Sequence, residues 1–152
     1  MFGSLIKTIF GDKATRDLKE VQPLVETVKS EFAKLASLSD TELRAKTADF
    51  KQRISEGIKE EQAKVDVLRA EIDADPRMDI HARESRYQEI DKLEEKIITK
   101  IEEVLMAILP EAFAVMKETA RRFKENKHLR VLANDFDREL AAKRESIRIE
   151  GD

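Results

Sequence analysis

Asp73-Ala74-Asp75-Pro76-Arg77 interrupts an apolar pattern that otherwise runs from Leu43 to Ile108. Upstream the apolar positions are Leu43, Phe50, Ile54, Ile58, Val65, Leu68 and Ile72. Their mean step is about 3.6 residues, so one face stays turned the same way along a helix. Downstream the positions are Ile80, Tyr87, Ile90, Leu93, Ile97, Ile101, Val104, Leu105 and Ile108. The residue before a proline disfavours helical geometry, which ends the first helix near Ala74. Two helices of roughly 30 residues joined by a short turn must run antiparallel, each about 45–50 Å long. The expected fold is therefore mainly α: a long antiparallel helical hairpin on a small helical base.

Working outward, Ser39-Asp40-Thr41-Glu42 reads as a capping box that starts the first long helix. Gly57 is its weak point, costing about 1 kcal/mol against alanine. Before it, Leu18, Val21, Val25, Val28, Phe32 and Leu35 stripe a helix over 14–36, with a kink or restart expected before Pro23. After the hairpin, Leu109-Pro110 reads as a fresh helix start, since proline suits a first turn. That helix, to about Lys124, is expected to bury Ala112, Phe113, Met116, Ala120 and Phe123. Asn134 is placed to cap a helix over 136–143. His128–Ala133 and the alternating Ser146-Ile147-Arg148-Ile149 suggest two short strands that could pair near the C-terminus. A lone two-stranded element is marginal in water, so the tail reads as cut short of what completes it. The expected divisions are 1–37, 38–108 and 109–152.

Composition narrows the function. Charged residues make up 40% and apolar ones 41%, with only 4 Gly and 3 Pro, a profile of long helices rather than a thick core. The net charge of -3, with both signs interspersed, offers no nucleic-acid surface. With no cysteine there is no disulfide, thiolate ligand or thiol nucleophile, which fits a cytoplasmic setting. His81 and His128 stand far apart in polar surroundings and read as idle surface groups. The adjacent pairs Glu60-Glu61, Glu94-Glu95 and Glu102-Glu103 point about 100° apart on a helix and read as solvated faces, not metal ligands. Asp135-Phe136-Asp137 lacks the glycine and terminal glutamate of a calcium loop. No phosphate-binding glycine loop occurs. Catalytic, cofactor and metal residues are accordingly expected to be absent.

The N-terminus carries the one candidate site. Phe2, Leu5, Ile6, Ile9 and Phe10 form an apolar stripe on a short helix, with Lys7, Lys13 and Arg16 on or beside it. Such a helix can lie in an anionic membrane interface, apolar face at the acyl boundary and cations towards the headgroups. The same stripe could instead pack on the rest of the protein. The hairpin likewise reads as a spacer or a partner-binding arm of a helical adaptor or scaffold, or as a solvated insertion.

Two segments carry a family resemblance. Leu38-Ser39-Asp40-Thr41-Glu42-Leu43-Arg44-Ala45-Lys46-Thr47-Ala48-Asp49-Phe50 resembles the LSDEELxxKTxEF segment near the start of SecA proteins, the ATP-driven motors of bacterial preprotein translocation. Leu109-Pro110-Glu111-Ala112-Phe113-Ala114-Val115-Met116-Lys117-Glu118-Thr119-Ala120-Arg121-Arg122 resembles their LPEAFAxxxEAxxR helix, and the order is the same. In that family little separates the two, so residues of about 51–108 look like an inserted hairpin. The resemblance implies that 109–152 begin the first nucleotide-binding domain. It implies a parent using ATP and Mg to push preproteins through the SecYEG channel, sited peripherally on the inner face of the plasma membrane. The N-terminal helix would then tether the motor to anionic lipid and channel and affect homodimer formation. The family's adenine-reading glutamine, GEGKT loop and acidic Mg motif are missing here, so the resemblance places no ATP-site residue on this chain.

Overall fold

A computed structural model describes residues 13–151 and contains four α-helices: α1 (Lys13–Lys34), α2 (Asp40–Ala74), α3 (Ile80–Glu125) and α4 (Asp135–Lys143), with a single 3-10 turn, Leu35–Ser37, between α1 and α2. Helices α2 and α3 pair as the expected long hairpin, and α1 packs beside the C-terminal part of α3.

The capping signals act as read. The Ser39 hydroxyl accepts from the Glu42 N–H at 3.2 Å and the Glu42 carboxylate accepts from the Ser39 N–H at 2.7 Å, which starts α2. Asn134 and Asp137 form the same reciprocal box at α4. At the hairpin turn the Asp79 carboxylate accepts from the N–H groups of His81 and Ala82, and the Arg83 guanidinium donates to the carbonyls of Asp75 and Pro76. These bonds satisfy backbone groups that a bare helix end leaves open.

Neither internal proline restarts a helix. Pro110 does not restart a helix, because α3 runs unbroken through it, and α1 runs through Pro23. A proline inside a helix frees the carbonyl four residues earlier. Those carbonyls belong to Met106 and Lys19, both exposed, so water can take the lost bond. Buried Ile108, Ala114 and Val115 on either side of Pro110 hold α3 together.

The apolar side chains form two separate cores. At the base, Leu35, Leu43, Ala114 and Val115 meet with Val28, Phe32, Leu38 and Phe50 around them. Ala114 is wholly buried, and its small side chain lets α1, α2 and α3 approach at one point. Along the arm, Val65, Ile72, Ile90 and Leu93 pack with Leu68 and Ile97. Between the cores a Cβ on Gly57 would sit 2.8 Å from Val104 Cγ2, so the glycine read as a weak point is the residue that lets α2 and α3 close together there. Lys100–Glu61, Arg69–Glu94 and Arg86–Glu71 link the two sides of the arm at 2.6, 2.7 and 2.9 Å. The Arg69–Glu94 pair is well exposed and adds little stability.

The expected C-terminal strand pair does not form, and no strand occurs among the described residues. The N–H of Arg130 donates to Asp40 Oδ2 and that of Leu132 to Thr41 Oγ1, while the N–H of Ile147 closes a turn onto Arg144 O. The two runs spend these donors on side chains of α2 and on a local turn instead of on each other.

Candidate functional site

Of the candidate anchor residues, Phe2, Leu5, Ile6, Lys7, Ile9 and Phe10 lie outside the described residues. Lys13 and Arg16 are exposed in the first turns of α1. Next to them Leu18, Val21 and Val25 are also exposed, although the same stripe is covered further on, at Val28, Phe32 and Leu35. The apolar stripe of α1 is thus half used, covered at its C-terminal half and open beside the two basic residues. His81 and His128 are exposed.

The strongest assembly of polar groups is one that sequence reasoning did not find. Where α1, α2 and α3 meet, Arg122 is 7% exposed and Glu118 1%. Arg122 Nε donates to Glu118 Oε1 at 2.8 Å and Nη1 to Asp40 Oδ1 at 2.7 Å. Its Nη2 donates to the carbonyls of Leu38 and Leu35 at 2.7 and 3.2 Å. One guanidinium therefore closes the C-terminal end of the α1 segment, the first turn of α2 and the last turns of α3. Arg121 grips the same Glu118 carboxylate with two bonds, at 2.7 and 2.9 Å, and also reaches Glu125. Nearby, Glu111 accepts from Lys46 at 2.9 Å and from Arg53 at 2.8 Å, a second link between α2 and α3. The available sequence signal was Glu118 and Arg122 four apart, in register with buried Ala114 and Val115.

A third link fastens the tail. Arg44 holds Asp137 in a two-pronged pair at 2.6 and 2.7 Å, tying α4 to α2. The Arg44 bonds and the Asn134 N–H hold the Asp137 carboxyl at about 2. The hydrogen bonds of Arg121, then of Arg122, likewise hold Glu118 at about 2, against its burial. Both groups titrate below the ordinary values of 3.8 and 4.5, so each stabilises the fold fully above those values and less as pH falls towards 2. The urea midpoint should therefore drop between about pH 4.5 and pH 2, with a smaller drop in Glu118→Gln. A flat profile over that window would show that these pairs do not bear on folding.

The apolar face expected for the helix after Pro110 is not the one buried. Phe113, Met116 and Phe123 are 50%, 68% and 68% exposed, and Ala120 is exposed with them. Ala114, Val115, Glu118 and Arg122 face inwards instead. The outward row is an uncovered stripe at helical spacing, fixed to a rigid junction. A cleft of ≈ 410 Å³ opens beside it, lined by Leu43, Thr47, Val115, Thr119, Phe123 and Val131, with Arg44 and Arg122 at its edge.

This arrangement does not fit a nucleotide or Mg site. Both arginines at the cleft are engaged by carboxylates, and no group of side chains able to hold a metal ion occurs among the described residues. No described helix is long and apolar enough to cross a membrane. What the geometry offers is adhesion: a charged clasp that holds three helices and presents apolar side chains outward.

Comparison with known proteins supplies the context. The family model described as SecA DEAD-like domain matches residues 6–133. The chain is 46% identical over 152 residues to a protein translocase subunit SecA of Phocaeicola vulgatus, covering 99% of this chain and 14% of that protein. It is 44% identical over 151 residues to the SecA subunit of Porphyromonas gingivalis, covering 99% and 13%. The SecA subunit of Parabacteroides distasonis is 46% identical over 151 residues, again 99% and 13%. These alignments run through the arm, so these relatives share it. The chain spans about one seventh of the length of the curated relatives it matches. No solved structure matches it. The two motif segments, the helical order and these alignments agree, and the chain belongs to the SecA family of protein translocase subunits.

Proposed function

We propose that this region serves an ATP-driven preprotein translocase as a membrane and channel tether and as a brace for the motor domain, without chemistry of its own. The observation that carries the brace is the exposed row Phe113, Met116, Ala120 and Phe123 on the side of α3 away from the base core. An uncovered stripe of this kind marks a contact surface. It stands on the Arg122 clasp and so is held in a fixed orientation on α3. ATP and Mg are bound by parts of the translocase beyond these residues, and SecYEG, preproteins and a second copy in a homodimer are its partners.

The tether reading rests on the stripe Phe2, Leu5, Ile6, Ile9 and Phe10 with Lys7, Lys13 and Arg16. Within the described residues, Leu18, Val21 and Val25 add exposed apolar side chains on the helix that carries Lys13 and Arg16. On this reading the protein is cytoplasmic and peripheral to the inner face of the plasma membrane. Burying one phenylalanine side chain contributes about 1.5–3 kcal/mol. Phe10→Asp removes that and sets a charge against anionic headgroups, so flotation with phosphatidylglycerol vesicles should fall roughly tenfold or more. Native binding should also weaken as salt rises. Flotation that ignores both the substitution and the salt would end the tether reading and leave the brace to be judged separately, by whether Met116→Asp in the full-length translocase loosens its motor domain to proteolysis.

A further inference from the structure

Residues 129–143 are fastened to the base differently from the helices before them. Helix α4 buries no residue and belongs to neither core. Among the described residues one ion pair ties it to the rest of the chain, the two-pronged grip of Arg44 on Asp137 at 2.6 and 2.7 Å. The run before α4 is held by the same stretch of α2. Arg130 N–H donates to Asp40 Oδ2 at 3.2 Å and Leu132 N–H to Thr41 Oγ1 at 3.1 Å, and Arg44 Nη1 also lies 3.5 Å from the Leu132 carbonyl. Packing adds little to these holds. Clefts of ≈ 410 and ≈ 740 Å³ flank the segment, the first bordered by Leu129 and Val131, the second by Leu132 and Phe136. Val131, Leu132 and Phe136 stay exposed. Gaps of that size forfeit the dispersion contacts that hold a packed segment down.

The holds are also joined to one another. Asp137 Oδ2 accepts from Arg44 Nη1 at 2.6 Å and from the Asn134 N–H that opens α4 at 3.0 Å. One carboxylate therefore caps the helix and docks it. Loss of the dock weakens the cap, and an unwound first turn misplaces the carboxylate for the dock. Arg44 serves both α4 and Leu132, so the two parts of the segment share one fastening. The clasp is separate from it. Asp40 gives Arg130 one oxygen and Arg122 the other, so its bond to Arg122 survives when the segment leaves.

We propose that residues 129–143 are a strap that lifts from α2 and unwinds in one step while the three-helix base stays closed, uncovering Leu43, Val115 and the Arg44 side of α2. Neither the tether nor the brace is needed for it. Amide hydrogen exchange tests it, on this chain and on the full-length translocase. In the native protein the amides of 130, 132 and 138–143 exchange through one common opening, roughly tenfold or more faster than those of 35–50 and 112–122. Arg44→Gln speeds all of them by one shared factor, roughly tenfold or more, and leaves the base at its native rates. Asn134→Ala is the second variant, and its side chain makes no hydrogen bond to residues 130 or 132. By loosening the cap of α4 it nonetheless speeds the amides of 130 and 132 about fivefold. Strap amides with unrelated rates, or a faster 138–143 in Asn134→Ala with 130 and 132 unmoved, overturn the single step. Native rates throughout in Arg44→Gln overturn the latch, and a base that loses protection together with the strap overturns its separate opening. In the full-length translocase, residues 129–143 as slow as the base would show the strap held down by what lies over it, and overturn its lifting there.

Discussion

Arg122→Leu is expected to cost about 3–5 kcal/mol, because it removes a buried guanidinium that serves two carboxylates and two carbonyls at once. Glu118 would keep only Arg121, Asp40 would keep only the Arg130 N–H, and the carbonyls of Leu35 and Leu38 would lose their side-chain donor. At about 2–4 °C per kcal/mol for a chain of this size, the thermal midpoint of the base falls by roughly 6–20 °C. Arg122→Lys should not rescue it, since one ammonium cannot reproduce a planar fork with partners on three elements. The measurement is a thermal melt followed at the base by hydrogen exchange of residues 35–50 and 112–122. A midpoint within a degree or two of native would show that the junction is held by its apolar contacts and not by the guanidinium.

Val65→Asp is the second large effect, and it should be local. Val65 is 1% exposed between Ile72, Ile90 and Leu93, with no cation in that core to receive a carboxylate. An unpaired buried charge costs on the order of 3 kcal/mol or more even after relaxation. Since the arm core and the base core share no residues, amide exchange should accelerate over 62–97 while 35–50 and 112–122 keep their native rates. Loss of protection at both ends together would mean that the two cores unfold as one unit.

The sequence made some of this legible because the relevant signals are local. Asp75-Pro76, the Ser39–Glu42 capping box, the Asn134 cap and the regular step from Leu43 to Ile72 all act within a few residues, and each was found where expected. Around Pro110 the reading failed for two reasons. The proline rule describes an isolated helix, whereas α3 is held on both sides by buried neighbours. Ala112-Phe113-Ala114-Val115-Met116 is apolar at every position, so periodicity names no face, and the small Ala114 is the side chain that permits close approach. Arg122 and Glu118 were hidden for a different reason. Charged residues default to solvent in any reading of composition, and burial became possible only because Asp40 and two carbonyls come from residues more than 80 positions away in sequence. The strand pair was anticipated from alternation, but alternation does not say what an extended run bonds to, and here side chains of α2 supplied the partner.

The unbroken passage of α3 through Pro110 has a mechanical consequence. From Arg122 to Ile80 the helix continues for about 63 Å at 1.5 Å per residue, with its pivot at the clasp and its free end at the turn. A tilt of only one degree at the pivot sweeps the far end through about 1 Å. Small rearrangements at the foot of the molecule would thereby become displacements the size of an atom at its tip, the geometry of a lever.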